Sequence, residues 1–203
     1  MLLSNTLSKL RLYTTYLSKR TYKHLPRFSQ FLLTHHLEAL VSEEIQLYFE
    51  VDLPLLKYLK HYSAEQLFTI NLASVTQFLE TLSQGREQKL IETALEQLER
   101  DQLQVIGQRS MTGEDITLMH YVRARSLRKY IPFFTQDVTN ALELTDEMEG
   151  FLAGWTTASV NSYIQNITER KLPELELLEK TRALERSNQS LEQFAYAASH
   201  DLK

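Results

Sequence analysis

The chain of 203 residues contains no cysteine. Disulfides, thiolate metal sites and cysteine nucleophiles are thereby excluded, and the composition fits a reducing cytoplasm. Glycine occurs only five times and never as a Gly-x-Gly pair, so no loop is suited to cradle a nucleotide phosphate on backbone N–H groups. Acid is missing from the start: no Asp or Glu precedes Glu38, whereas Lys9, Arg11, Lys19, Arg20, Lys23 and Arg27 all do. No apolar run is long enough to cross a bilayer, and the N-terminus lacks the apolar block and small-residue cleavage site of a secretory signal. No transmembrane segment is expected.

What the chain does have is a 43% hydrophobic content and a net charge of −4, sufficient for one core of ordinary size plus an appendage. Apolar residues recur at spacings of three and four almost throughout, with no sustained alternation of period two, which predicts an all-α protein. A first helix is expected from Asn5 to His24, its basic residues forming a solvated face, and Pro26 punctuates the chain. A second runs from Arg27 to Phe49. Asp52 followed by "LPLLKYL" predicts a short helix with Pro54 in its first turn, and Ser63 before "AEQ" is a capping box opening a helix from Ala64 to Ser83.

Gly85 should end that helix, and "REQKLIETALEQLERDQLQVI" should form another that stops near Gly107. The clearest loop is "GQRSMTGED". From about Asp115 a helix is predicted to run to Pro132, and a further one from Pro132 to Gly150 or Gly154. Six or seven helices in residues 1–154, without an internal repeat, predict a compact helical domain with a boundary near Gly154.

Beyond Trp155 the chain becomes charged and loses its dense aromatics until Phe194. Leu177, Leu184, Leu191 and Ala198 stand seven apart, and Phe194 takes the companion position of the last heptad. This narrow stripe predicts a two-stranded coiled coil over residues 155–190, with polar companion positions at Lys180 or Thr181 and at Ser187 or Asn188 that weaken the seam and can set its register.

In that frame Ala198 faces the partner helix and His200 is turned to solvent. Adjacent Asp201 is suited to hold Nδ1 and leave the other nitrogen as a nucleophile, and Lys203 to steer a phosphate. A histidine beside an aspartate on a helix is equally an ordinary surface feature, so spacing and chemistry alone leave both readings open.

The stretch "LERSNQSLEQFAYAASHDLK" closely resembles the start of the dimerisation and phosphoacceptor domain of sensor histidine kinases. The H-box of that family pairs a phenylalanine with a Ser-His-Asp/Glu-Leu-Arg/Lys run, matched by Phe194, Ser199, His200, Asp201, Leu202 and Lys203. The resemblance covers the last 20 or so residues. It implies that His200 accepts the γ-phosphoryl of ATP, that Asp201 is its hydrogen-bonding partner, that Phe194 packs in the helical bundle, and that residues 191–203 begin that domain. The motif lacks its usual continuation and the chain has no ATP-binding glycines, so it is expected to be the sensory part of a larger kinase, not catalytic by itself. The resemblance further implies a homodimer joined through the C-terminal helix, and a response regulator as partner of the full-length protein.

The preceding domain, with its aromatic segment "HYVRARSLRKYIPFF", resembles more loosely the haem-free globin-like sensor domains of stressosome-type regulators. A haem-binding member would need a proximal histidine facing an apolar pocket. His120 is the candidate, followed by His35 and His36, with His24 and His61 near helix ends. No distal–proximal pairing is legible, so haem is not expected. The cluster Arg123, Arg125, Arg128 and Lys129 reads as a solvated face with one or two ion pairs, and no recognition motif for nucleic acid accompanies it. Tyr130, Phe133 and Phe134 are expected to fill the core, or to line the pocket of a small apolar ligand. No metal motif is present.

Overall fold

The computed structural model describes residues 21–99, 111–168 and 172–201. Among these residues the secondary structure is wholly helical: α1 (Leu25–His35), α2 (Leu37–Glu50), a 3-10 helix (Pro54–Tyr58), α3 (Ala64–Ser83), α4 (Glu87–Glu99), α5 (Gly113–Arg128), a short α6 (Ile131–Phe134), α7 (Val138–Asn166) and α8 (Leu172–Asp201). Most of the first predicted helix, and the predicted stop at Gly107, lie outside the described residues. Where the structure begins, over residues 21–24, the chain is not helical, so the predicted continuation to His24 is corrected.

Local signals place α3 as expected. Ser63 Oγ accepts from the Gln66 N–H at 3.2 Å while Gln66 Oε1 accepts from the Ser63 N–H at 2.8 Å, the reciprocal capping box. At the other end Gly85 adopts φ 63°, and the Gly85 and Arg86 N–H groups donate to the Leu82 and Thr81 carbonyls, a Schellman closure that needs a left-handed residue. The same closure ends α2, where the Asp52 and Leu53 N–H groups donate to the Phe49 and Tyr48 carbonyls. Here Asp52 takes the left-handed position at φ 48°, which Asp tolerates better than most residues. Pro54 opens the next segment as predicted, though as a 3-10 turn.

Other boundaries move. The predicted helix Arg27–Phe49 is broken at His36 (φ −136°, ψ 11°), whose ring packs against Phe31, Tyr130 and Phe133 with centroids 5.1–5.6 Å apart. No proline or glycine marks that bend; tertiary packing makes it. The helix expected to reach Pro132 ends at Arg128, and Pro132 instead sits in the first turn of α6, where its missing N–H has no helical partner to lose. Extended Thr135 then interrupts the chain, and Asp137 Oδ1 accepts from the Asn140 N–H at 2.7 Å to start α7.

That helix passes unbroken through Gly150 and Gly154. An isolated glycine costs a helix about 1 kcal/mol relative to alanine, a penalty that burial of the neighbouring Phe151 and Leu152 outweighs. Ala158, Ser159 and Ser162 are buried as well, and the first compact unit runs to Tyr163. Its main core joins Phe28, Leu32, Leu40, Leu79, Leu144 and Phe151, contributed by α1, α2, α3 and α7. A smaller one gathers Leu47, Tyr48, Leu53, Leu55 and Val122 around the 3-10 turn. The second unit, from Ile164 onward, holds the end of α7 and the 30-residue α8. Among the described residues no helix is long and apolar enough to cross a membrane.

Candidate functional site

His200 and Asp201 belong to the last turn of α8. The side chains of residues 194–203, and therefore the proposed acceptor, its partner, Phe194 and Ala198, lie outside the described residues. The seam leading to them is described: Leu177, Leu184 and Leu191 are 67%, 66% and 62% exposed within this chain. Each leucine thus presents most of its apolar surface to whatever lies alongside α8.

In the first unit, the histidine singled out by sequence sits in an aromatic stack. His120 packs on Trp155 with centroids 4.2 Å apart, and Trp155 stacks in turn on Phe78 at 5.2 Å. The Thr156 hydroxyl gives its proton to the Leu152 carbonyl at 2.7 Å, so at 2.7 Å from His120 Nδ1 it acts as acceptor. Nδ1 therefore carries the imidazole proton. Burial, and secondly the positive charge of Arg123, push the His120 pKa down to about 3, which keeps the ring neutral.

The sign of the consequence follows. Unfolded His120 protonates below about pH 6.5 while the folded ring does not until about pH 3, so folding loses about 1.4 kcal/mol per pH unit between those values. Urea titrations at pH 7.5 and 5.5 should show the wild type losing about 1 kcal/mol more than His120→Phe, whose ring cannot titrate.

The basic cluster is not a solvated face throughout. Arg123 is only 7% exposed and Glu44 is 0% exposed. The guanidinium makes a bidentate pair, Nε donating to Glu44 Oε1 at 3.0 Å and Nη2 to Oε2 at 3.1 Å, and lies 4.6 Å from the centre of the Phe78 ring. Ser126, whose hydroxyl bonds the Arg123 carbonyl at 3.0 Å, stands 3.4 Å from Glu44 Oε1. The Tyr48 phenol hydrogen-bonds the same pair, and burial, then the Glu44 charge, raise its pKa so that it stays a neutral donor. Burial is the largest influence on the Arg123 pKa and pulls it down, but the Glu44 charge and the further interactions with Glu44 and Tyr48 together outweigh it and leave the pKa raised. Arg125, Arg128 and Lys129 also pair, with Glu50, Glu149 and Glu43. Two of these four links tie α5 to α2, and a third ties Lys129, the residue that caps α5, to α2.

Tyr130, Phe133 and Phe134, expected to fill the core or to line the pocket of a small apolar ligand, divide between the core and the surface. Tyr130 is buried, Phe134 packs on the main core, and Phe133 is exposed against His36. A cavity of about 240 Å³ opens between α2, the 3-10 turn, α3 and α5, walled by Ile45, Phe49, Leu55, Leu56, Leu67 and Met119 among others. No histidine lines it; His120 is turned to Trp155, so the candidate haem ligand and the cavity are separate, and the residues around the cavity do not suit a haem. His35 packs on Phe31, His24 on Glu143 and His61 on Tyr62. Among the described residues no group of three or more His, Asp and Glu side chains is arranged to hold a metal ion.

Sequence reasoning missed Asn71, which lines the cavity with Nδ2 buried and without a hydrogen-bond partner. A single asparagine on an amphipathic helix carries no pattern that could have marked it. Comparison with protein-family models, with curated proteins and with solved structures finds no match for this chain.

Proposed function

We propose that the chain is the sensory and dimerisation region of a two-component sensor histidine kinase, with a haem-free globin-like sensor unit and with His200 as the phosphoacceptor. The observation that carries this reading is the row of exposed leucines at Leu177, Leu184 and Leu191, seven apart on one 30-residue helix that ends in the Ser199-His200-Asp201 motif. Exposed leucines at that period are costly in a lone helix and become favourable when a second copy covers them. Two such helices in parallel would bring the two His200 residues to the same level of a coiled coil. A signal that favours one packing of the sensor unit over another would then bias the coil, provided its affinity differs between the two packings.

His200 supplies the nucleophile: one ring nitrogen attacks the γ-phosphorus of ATP, ADP leaves, and Asp201 holds the other nitrogen and the positive charge that develops on the ring. The ATP-binding domain belongs to the full-length protein in this reading, and a response regulator takes the phosphoryl group onward.

The test joins the chain to a complete phosphoacceptor and ATP-binding region and follows transfer of label from γ-labelled ATP. Acid-labile label should appear on the wild type and be lost from His200→Ala. Retention of full labelling by that variant removes the acceptor assignment.

A further inference from the structure

Residues 1–20, which lie outside the described residues, carry Lys9, Arg11, Lys19 and Arg20 and no acid. Leu7, Leu10, Tyr13 and Leu17 recur there at helical spacing. On a helix, Lys9, Arg11 and Arg20 would flank that apolar stripe, and Lys19 would stand opposite it. A segment of this kind fits an acidic surface that carries an exposed apolar strip.

Helix α7 offers such a surface beside the point where the described chain begins. Tyr22 meets Phe151 edge-on with centroids 6.2 Å apart, the Lys23 N–H donates to Glu147 Oε1 at 2.8 Å, and Lys23 Nζ donates to Glu143 Oε2 at 3.1 Å. Arg20 therefore lies only a few residues along the chain from an anchor on α7. Between Val138 and Glu149 this helix carries Glu143, Asp146, Glu147 and Glu149, and no Lys or Arg occurs anywhere along it. Val138 and Leu142, one turn apart, are 72% and 66% exposed, and the exposed residues Asp146 and Glu149 continue the same face. Covering the two apolar side chains would be favourable in proportion to the area removed from water.

Spacing and charge agree. Leu17 and Tyr13 are four apart, as are Leu142 and Val138, so two helices running in opposite directions bring Leu17 to Leu142, Tyr13 to Val138 and Arg20 beside Asp146. The tether through Lys23 and Glu147 gives the segment a high effective concentration at α7, an advantage that a separate partner lacks.

We infer that residues 5–20 fold back in cis onto the Val138–Leu142–Asp146 face of α7, where Leu17 and Tyr13 cover the apolar pair and Arg20 pairs with the acids. The basic face read from the sequence as solvated is then turned in part to an acidic helix. This docking does not depend on the kinase reading. Under that reading the segment is a strap on the helix whose end passes into the second unit.

The test uses the full chain, whose lack of cysteine allows a single nitroxide to be attached at Thr15→Cys, on the side of the predicted helix away from the apolar stripe. In isotope-labelled protein the nitroxide should broaden amide NMR signals most strongly over residues 138–149. Nitroxide-bearing chains without the isotope, mixed with isotope-labelled chains without the nitroxide, should give no such broadening. Leu142→Lys, a change at an exposed position, should reduce the broadening by at least about fivefold, since it removes one apolar contact and adds a like charge. Asp146→Arg should reduce it as well, and Arg20→Asp in the same chain should restore it. Broadening that is absent or centred elsewhere, that is unchanged in Leu142→Lys, or that Arg20→Asp fails to restore overturns the inference. Broadening in the mixed sample also overturns it, because the segment would then sit on a second copy.

Discussion

Arg123→Met should destabilise the first unit by about 3–5 kcal/mol, the cost of leaving one partner of a buried ion pair alone. Glu44 is fully buried and receives both guanidinium bonds, so in the variant its carboxylate either stays charged without a counter-ion or takes up a proton. Glu44→Leu should cost a similar amount by stranding the guanidinium against Phe78. The double variant Glu44→Leu/Arg123→Met should recover most of the loss, because an apolar pair of similar volume has no charge to desolvate. The recovery should be incomplete until Tyr48→Phe is added, since the Tyr48 phenol bonds to both members of the pair. Urea unfolding of the single, double and triple variants measures this coupling directly; strictly additive losses would show that the two charges do not act as a unit.

Glu147→Ala should cost about 1.5–3 kcal/mol and act on the start of α1. Three backbone donors converge on this one carboxylate: the Lys23 N–H on Oε1 and the His24 and Leu25 N–H groups on Oε2, each at 2.8 Å. Helix α1 has no side-chain cap of its own, so a carboxylate from α7 satisfies the donors and sits at the positive end of the helix dipole. Glu147→Gln should retain part of the effect, keeping one oxygen acceptor and losing the charge. Hydrogen exchange at His24 and Leu25 should accelerate in both variants, more so in the alanine one, and unchanged exchange would argue that the cap is not holding the helix.

Glu143, one turn before Glu147, adds an acid-sensitive element. Its hydrogen bond from His24 Nε2 at 2.8 Å, and secondarily that from Lys23, hold its carboxyl below the usual range. Its contribution is present above the ordinary carboxylate pKa and is lost as pH falls through the lowered folded value.

The sequence by itself determined whatever depends on a few neighbouring residues. The all-helical class followed from period, the Ser63–Gln66 capping box and Gly85 fixed both ends of α3, and Pro54 fixed the start of the 3-10 turn, because these devices act within one or two turns of chain. The leucine spacing of α8 belongs to the same class: a repeat of seven is readable wherever it occurs.

Tertiary structure decided the rest, since it concerns groups far apart in sequence. Arg123 and Arg125 have near-identical local surroundings, yet Glu44 lies 79 residues away and turns the first into a buried ion while the second stays at the surface. The bend at His36 follows from rings on α1 and α6, and the cap on α1 from a glutamate more than 120 residues distant. Gly150 and Gly154 look like stops, and the burial of Phe151 and Leu152 carries α7 through them. The apolar space that Asn71 helps to line exists only because α2, α3 and the 3-10 turn come together in space. Each of these outcomes rests on desolvation, which is a property of what surrounds a residue in space and is not encoded in its immediate neighbours along the chain.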